Sequence, residues 1–291
     1  MTWLLDPFSS EFMLRALGGG LLVAAICAVV GTWVVVRGMA FLGEAMAHGM
    51  LPGVAIASLL GLPVIAGAAV SAVVMSLGVG VVSRRGRLSH DTSIGLLFVG
   101  MLALGVIIVS HSRSFATDLT AILFGDILAI SAGDLPTLVF ALAATLLVAA
   151  LFHRPFVALA FDQRVAATMG LRPRLANLML VGLVTLAVVA SYGAVGSLLV
   201  VGLLLAPAVA AGPWATRIPA IMLLAAGFGG AAVIGGLLAS WHLATAAGAS
   251  IAAVAIGLAA VSALIRRLVV LITTLTTTAS TTRKVTRASL A

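Results

Sequence analysis

The sequence predicts an all-α, polytopic integral membrane bundle of about eight to nine transmembrane helices, and three observations carry that prediction. The chain of 291 residues is 63% hydrophobic and only 8% charged, whereas a soluble domain carries about a quarter charged residues to cover its surface. Apolar runs near the roughly 20 residues needed to cross a bilayer recur along its whole length. The runs are continuous, not alternating as in the strands of a membrane barrel.

Taken in order, the runs place spans at 16–36, 40–60, 63–82, 92–110, 135–152, 175–192, 195–211, 218–239 and 244–264. Arg37, the group Arg84, Arg85 and Arg87, the 153–174 segment, Arg217 and the pair Arg266–Arg267 fall in alternate gaps. The remaining gaps hold Arg113 beside Asp118, Asp126 and Asp134. By the positive-inside rule, nine spans put the N-terminus outside and the C-terminus in the cytoplasm. Arg15 is the misfit, since it flanks the first span on the outer side. The weakest span is 195–211, short enough to be re-entrant. Within 111–134 lies an apolar piece too short to span, which reads as an outer helix packed on the bundle.

Residues 1–15 form an outer segment and 16–265 one transmembrane domain without an internal repeat. Residues 266–291 form a Thr-rich basic tail that reads as disordered in the cytosol. The start, with Asp6 and Glu11 ahead of the first apolar run, does not read as a cleavable signal peptide.

The net charge of +8 does not argue for nucleic acid, because the basic residues flank apolar runs instead of forming an aromatic-interleaved patch. A single cysteine, Cys27, permits no intramolecular disulfide. Lys284 is the only lysine, so no phosphate-cradling loop of the G-x-x-x-x-G-K type exists. H-E-x-x-H and G-x-S-x-G are also absent. The chain is not an evident enzyme, and any ATP hydrolysis that drives it takes place on another polypeptide.

Charges inside a span cost at least a few kcal/mol and are functional candidates by default. The stretch "GEAMAHG" sets Glu44 and His48 four residues apart, on one face of a helix. Carboxylate oxygen and imidazole nitrogen together suit a borderline divalent cation such as zinc or manganese. Pro52 lacks an N–H and leaves the His48 carbonyl without its helical partner. Gly43, Gly49 and Gly53 allow another helix to approach closely. Spacing alone leaves a second reading open, in which Glu44 and His48 pair with each other or with Arg37 as a buried structural bridge.

His90, His111, His153 and His242 occupy helix ends and turns and read as structural. Asp126 and Asp134 read as caps or turn residues, although an outer mouth for cations would also welcome them. Met39, Met46 and Met50 read as packing residues. On the cytoplasmic side, "LAFDQRVAATMGLRPRLANL" (159–178) interrupts the apolar pattern with Asp162, Gln163 and Arg164. It passes Ala166 to a glycine cap at Gly170, a short helix that a surface groove on a motor subunit could grip.

These residues resemble the permease subunits of bacterial ABC transporters that import zinc, manganese or ferrous iron. The likeness rests on "VVVRGMAFLGEAMAHGMLPGVAIA" (34–57), "DTSIGLLFVGMLALGVII" (91–108), "LTAILFGDILAISAGDL" (119–135), "FDQRVAATMGL" (161–171) and "GSLLVVGLLLAPAVAA" (196–211), which contains Pro207. It implies a multi-pass bundle of the ABC importer permease type in the bacterial cell membrane, with Glu44 and His48 as a metal site on the translocation path. It also implies that Asp162, Gln163, Arg164, Ala166 and Gly170 couple the chain to a cytosolic ATPase. An external metal-binding protein and a second permease copy or relative complete the assembly. The transported zinc or manganese would be held only transiently, with no permanently bound cofactor. The family usually has aspartate where Glu44 stands, and Ala246–Ala247 depart from its pattern near the end of the chain.

Three rival readings remain at this level. One is an ATP-independent secondary cation transporter, which would need more buried acids. Another is an ABC permease for an iron chelate or cobalamin, which has no use for a bare acid–histidine pair. The third is a structural membrane subunit.

Overall fold

A computed structural model of the chain describes residues 6–85, 90–110, 126–161, 168 and 170–288. Among the described residues ten α-helices follow one another: α1 (Glu11–Val36), α2 (Ala40–Gly49), α3 (Leu51–Leu59), α4 (Val64–Arg85), α5 (His90–Ser110), α6 (Asp134–Leu151), α7 (His153–Phe161), α8 (Pro173–Ala211), α9 (Ile218–Leu243) and α10 (Ala247–Ala288). No strand occurs among the described residues. Eight candidate spans among the described residues, α2 with α3 counted as one, are long and apolar enough to cross a membrane.

Burial divides the spans into a centre and a jacket. In α1 and α8, 72% of the most apolar window is buried, against 22–33% in α4, α5, α6, α9 and α10. The jacket helices turn large apolar side chains outward, among them Val70, Leu77, Leu96, Phe140, Leu147 and Leu223. Lipid takes the place that a second protein layer would fill in water. Trp33 and Phe156, both fully buried, meet edge to face at 5.3 Å and join the end of α1 to α7.

The bundle has a basic end and an acidic end. Val36, His153 and Arg217 line one cavity at the basic end. Asp126, Asp134 and the start of α4 line another at the acidic end. Arg15, the misfit of the charge pattern, forms an ion pair with Glu11 one turn away at 3.5 Å.

The two expected spans 175–192 and 195–211 correspond to the two limbs of α8, two helices that meet at a kink, and the count of eight candidate spans takes both limbs as one. The kink is at Gly196, the single residue of α8 that leaves helical geometry, at φ 74° and ψ 167°. A lone glycine redirects the chain there without any loop. The first limb rises from the basic end and runs antiparallel to α4, with Thr185 hydrogen-bonded to Ser76 at 3.2 Å and Gly193 beside Ile65. Gly196 then lines the acidic-end cleft, while Arg217 is back at the basic end. The second limb therefore returns across the bundle. Its far end is fastened to α10: Trp214 Nε1–H donates to Ser262 Oγ at 2.7 Å, and Ser262 donates to the Ala210 carbonyl at 2.7 Å.

Only glycine adopts the Gly196 angles without strain, so Gly196→Ala is expected to cost about 1–3 kcal/mol. The melting temperature of the purified protein should fall. Gly182→Ala, where an added methyl meets nothing, should leave it unchanged.

The last helix also departs from expectation. The segment 266–291, read as a disordered tail, continues α10 as far as Ala288. No glycine or proline interrupts residues 266–288, so nothing in the chain stops the helix.

Candidate metal site in the second span

Glu44 and His48 lie on α2, which forms a continuous path with α3 through Met50, whose φ of −79° and ψ of −17° stay in the helical region. One turn apart, they face the second limb of α8 and the first turns of α10. Glu44 Oε1 and His48 Nε2 are 3.2 Å apart, with side-chain exposures of 41% and 22%. They open into a cavity of about 380 Å³ that is otherwise apolar, with Leu198, Val201, Ala252 and Ile256 in its wall. The imidazole lies edge-on to Phe98 at 5.7 Å, and Phe98 in turn meets Phe41. His48 Nδ1 is buried without a hydrogen-bond partner among the described residues.

Arg37 makes no ion pair with Glu44 among the described residues, which removes it from the structural-bridge reading. What remains is a carboxylate and an imidazole in contact beside an apolar cavity, a donor set that suits a divalent transition metal. Among the described residues no three His, Cys, Asp or Glu side chains are grouped to hold a metal ion. One chain thus offers two protein ligands at this site, fewer than the four to six that such ions take.

Pro52 has no N–H to offer the His48 carbonyl, and the Met50 N–H that turns toward that carbonyl lies only two residues on. The Gly49 carbonyl accepts from Ser71 Oγ–H at 2.9 Å.

The glycines face neighbouring helices. A methyl at Gly43 would come within 2.6 Å of Leu204 Cδ2, and one at Gly49 within 3.0 Å of Met75 Cγ. Gly53 packs directly on the Gly67 backbone of α4. Met46 and Met50 are fully buried, the Met46 sulfur accepts a weak bond from Ser76, and neither lines the Glu44–His48 cavity. Pro207 is buried in the second limb of α8, where it packs beside Gly229 and not on the Glu44–His48 cavity.

Of the coupling residues, Asp162, Gln163, Arg164 and Ala166 lie outside the described residues. Gly170 has φ 72°, the left-handed geometry of a glycine cap. Phe161, at the end of α7, is 84% exposed.

Asp126 and Asp134 behave as turn and cap residues. Asp126 Oδ1 accepts from the Leu128 N–H at 3.0 Å. Asp134 Oδ2 accepts from the Ser131 N–H at 2.9 Å and from its hydroxyl at 2.7 Å. His153 meets Trp33 edge-on at 5.6 Å. Sequence reasoning missed Phe98 and the α8 and α10 residues that wall the cavity, since these are tertiary contacts without a local signature.

Comparison with known proteins places this geometry among transport proteins. Residues 9–266 match the ABC 3 transport family. The chain is 36% identical over 256 residues to the manganese transport system membrane protein MntC of Halalkalibacterium halodurans, covering 88% of each chain. It is 33% identical over 245 residues to the chelated iron transport system membrane protein YfeD of Yersinia pestis, covering 84% of this chain and 82% of that one. The solved structure of PsaBC from Streptococcus pneumoniae in complex with Fab superposes with a TM-score of 0.80 at 32% identity. That match covers 89% of this chain and 94% of the other.

Proposed function

The chain belongs to the ABC 3 transport family, and on that premise we propose that it is the membrane-spanning subunit of an ATP-driven importer whose cargo is a divalent transition metal, manganese before iron. ATP hydrolysis lies on a separate ATPase chain. The observation that supports the cargo most is the Glu44–His48 pair, in contact at 3.2 Å beside a cavity with no other polar side chain in its wall. Hard carboxylate oxygen with one imidazole nitrogen fits manganese and ferrous iron. The sequence favoured zinc as much as manganese; the relatives cited above are named for manganese and iron, and zinc falls behind both. The name of YfeD keeps iron as the second reading.

Two ligands from one chain leave the ion undersaturated. A second permease chain carrying the same pair across the path would supply two more, with water filling the remaining positions. In this arrangement the basic end faces the cytoplasm of a bacterium and Asp126 and Asp134 face outward, where an external binding protein delivers the metal. The ATPase grips the 161–171 segment, and its closure on ATP moves the limbs of α8 against α2.

Reconstitution tests the function. Proteoliposomes containing this chain, its ATPase and its binding protein should accumulate radiolabelled manganese only when ATP is present on the ATPase side. Uptake driven by an imposed proton gradient without ATP would move the chain to the secondary transporters. A substitution tests the coupling assignment in the same system. Gly170→Val strains the left-handed cap and should lower the stimulation of ATPase activity by loaded binding protein, leaving metal binding intact. Unchanged stimulation would remove 161–171 from the coupling role.

A further inference from the structure

The acidic-end cleft is not used by the Glu44–His48 site. Its volume is about 530 Å³, and its wall includes Ser58, Asp126, Asp134, Thr137 and Tyr192. No basic side chain lines it among the described residues, so two carboxylates stand there without a counter-charge.

Local capping explains only part of this arrangement. Asp126 uses Oδ1 on Leu128, and Asp134 uses Oδ2 on Ser131. The other oxygen of each has no hydrogen-bond partner among the described residues. Capping also says nothing about Tyr192, which is 8% exposed and whose hydroxyl is buried with no hydrogen-bond partner among the described residues. A buried hydroxyl left unpaired costs about 1–3 kcal/mol, a cost that a ligand in the cleft would relieve.

The break in α8 also lies at this cleft, with Ala190, Gly193, Ala194 and Gly196 in the wall. The opposite ends of the two limbs meet there, so their dipoles offset each other and the two carboxylates set the sign of the site. Carboxylates and a phenol oxygen converge on one space, and carboxylate oxygens are the ligands a hard divalent cation takes.

We infer that this cleft is a second cation station, which holds a partly hydrated divalent metal before it reaches Glu44 and His48. The inference rests on the transport reading above. Two elements connect the stations. Along α2–α3, Val54 lines the outer cleft and His48 the inner cavity, about 9 Å apart by helical rise. Along α8, Gly196 lines the first and Leu198 the second.

Mn²⁺ titration of the permease–ATPase complex with the binding protein removed, followed by loss of the free-ion EPR signal, tests the inference. Four proteins are compared: wild type, Glu44→Gln with His48→Ala, Asp126→Asn with Asp134→Asn, and Tyr192→Phe. Asparagine keeps an acceptor oxygen for the Leu128 and Ser131 N–H groups, so the local turns are retained.

The Glu44→Gln, His48→Ala protein should still immobilise Mn²⁺ at the outer cleft. The Asp126→Asn, Asp134→Asn protein should lose that outer binding by at least about tenfold, as befits the loss of direct ligands, while keeping the inner ion. Tyr192→Phe should weaken outer binding by less. Two results would overturn the inference: no Mn²⁺ held once Glu44 and His48 are replaced, or outer binding unchanged in the Asn variants. If instead the transport reading fails at its own site, wild type and the Glu44→Gln, His48→Ala protein will bind equally, a different outcome from either.

Discussion

Replacing His48 with alanine is expected to abolish manganese uptake by the assembled transporter while its basal ATPase activity persists. Among the described residues, His48 supplies the only side-chain nitrogen in the cavity wall and Glu44 the only carboxylate. Removing groups merely adjacent to a metal ligand typically lowers affinity 10–100-fold, and loss of a ligand should do no less. Glu44→Gln should act in the same direction, because it keeps the shape and removes the charge. Glu44→Asp should restore much of the uptake, since it keeps the carboxylate. A structural bridge would behave otherwise: all three variants would lower stability together, and uptake would follow the amount of folded protein. Uptake normalised to protein in the membrane separates the two cases.

The second large effect is expected at Gly53. Gly49, Gly53 and Ala57 form a small-residue stripe on α2–α3, and Gly67 and Ser71 form its counterpart on α4. The Gly53 and Gly67 backbones touch directly, and any side chain at either meets the carbonyl of the other. Ser71 closes the contact by donating to the Gly49 carbonyl at 2.9 Å. In lipid such close approach supplies much of the helix–helix attraction, because apolar side chains gain little by leaving the bilayer.

Gly53→Leu therefore forces α3 away from α4. The cost is at the upper end of the roughly 1–3 kcal/mol of overpacking or beyond it, because the obstacle is backbone and cannot rotate aside. The melting temperature and the yield of folded protein should both drop sharply. Gly100→Ala, where an added methyl touches nothing, is the control and should be silent. A Gly53→Leu protein with wild-type stability would mean that α3 and α4 do not cross there.

Much of this was legible in the sequence because a membrane demands it. Long apolar runs and the placement of arginines located nearly every helix, and α6 begins at Asp134, one residue from the expected start. The candidate pair stood out for the same reason: an acid and a histidine one turn apart inside a span are costly. Elements that depend on tertiary contacts were harder to read. The separate spans 175–192 and 195–211 followed from the apolar runs, but Gly196 looked like one glycine among many, and only its backbone angles show that it makes the break between them. The bond from Ser71 to the Gly49 carbonyl is a contact between helices and has no signature along the chain. The end of α10 was misjudged because a Thr-rich basic composition was read as disorder although no residue there breaks a helix. The partner of Gly53 and the position of Tyr192 in an acidic cleft could not be read along the chain at all.

A metal held at this site must touch His48. Pulsed EPR of Mn²⁺ held by the complete transporter, with binding protein removed, reads this directly through hyperfine coupling to a bonded imidazole nitrogen. The expected result is nitrogen coupling in the wild-type complex that vanishes in His48→Ala and survives in Asp126→Asn with Asp134→Asn. Nitrogen coupling that persists unchanged in His48→Ala, or a wild-type spectrum with oxygen ligands alone, would contradict the assignment of Glu44 and His48 as the metal site.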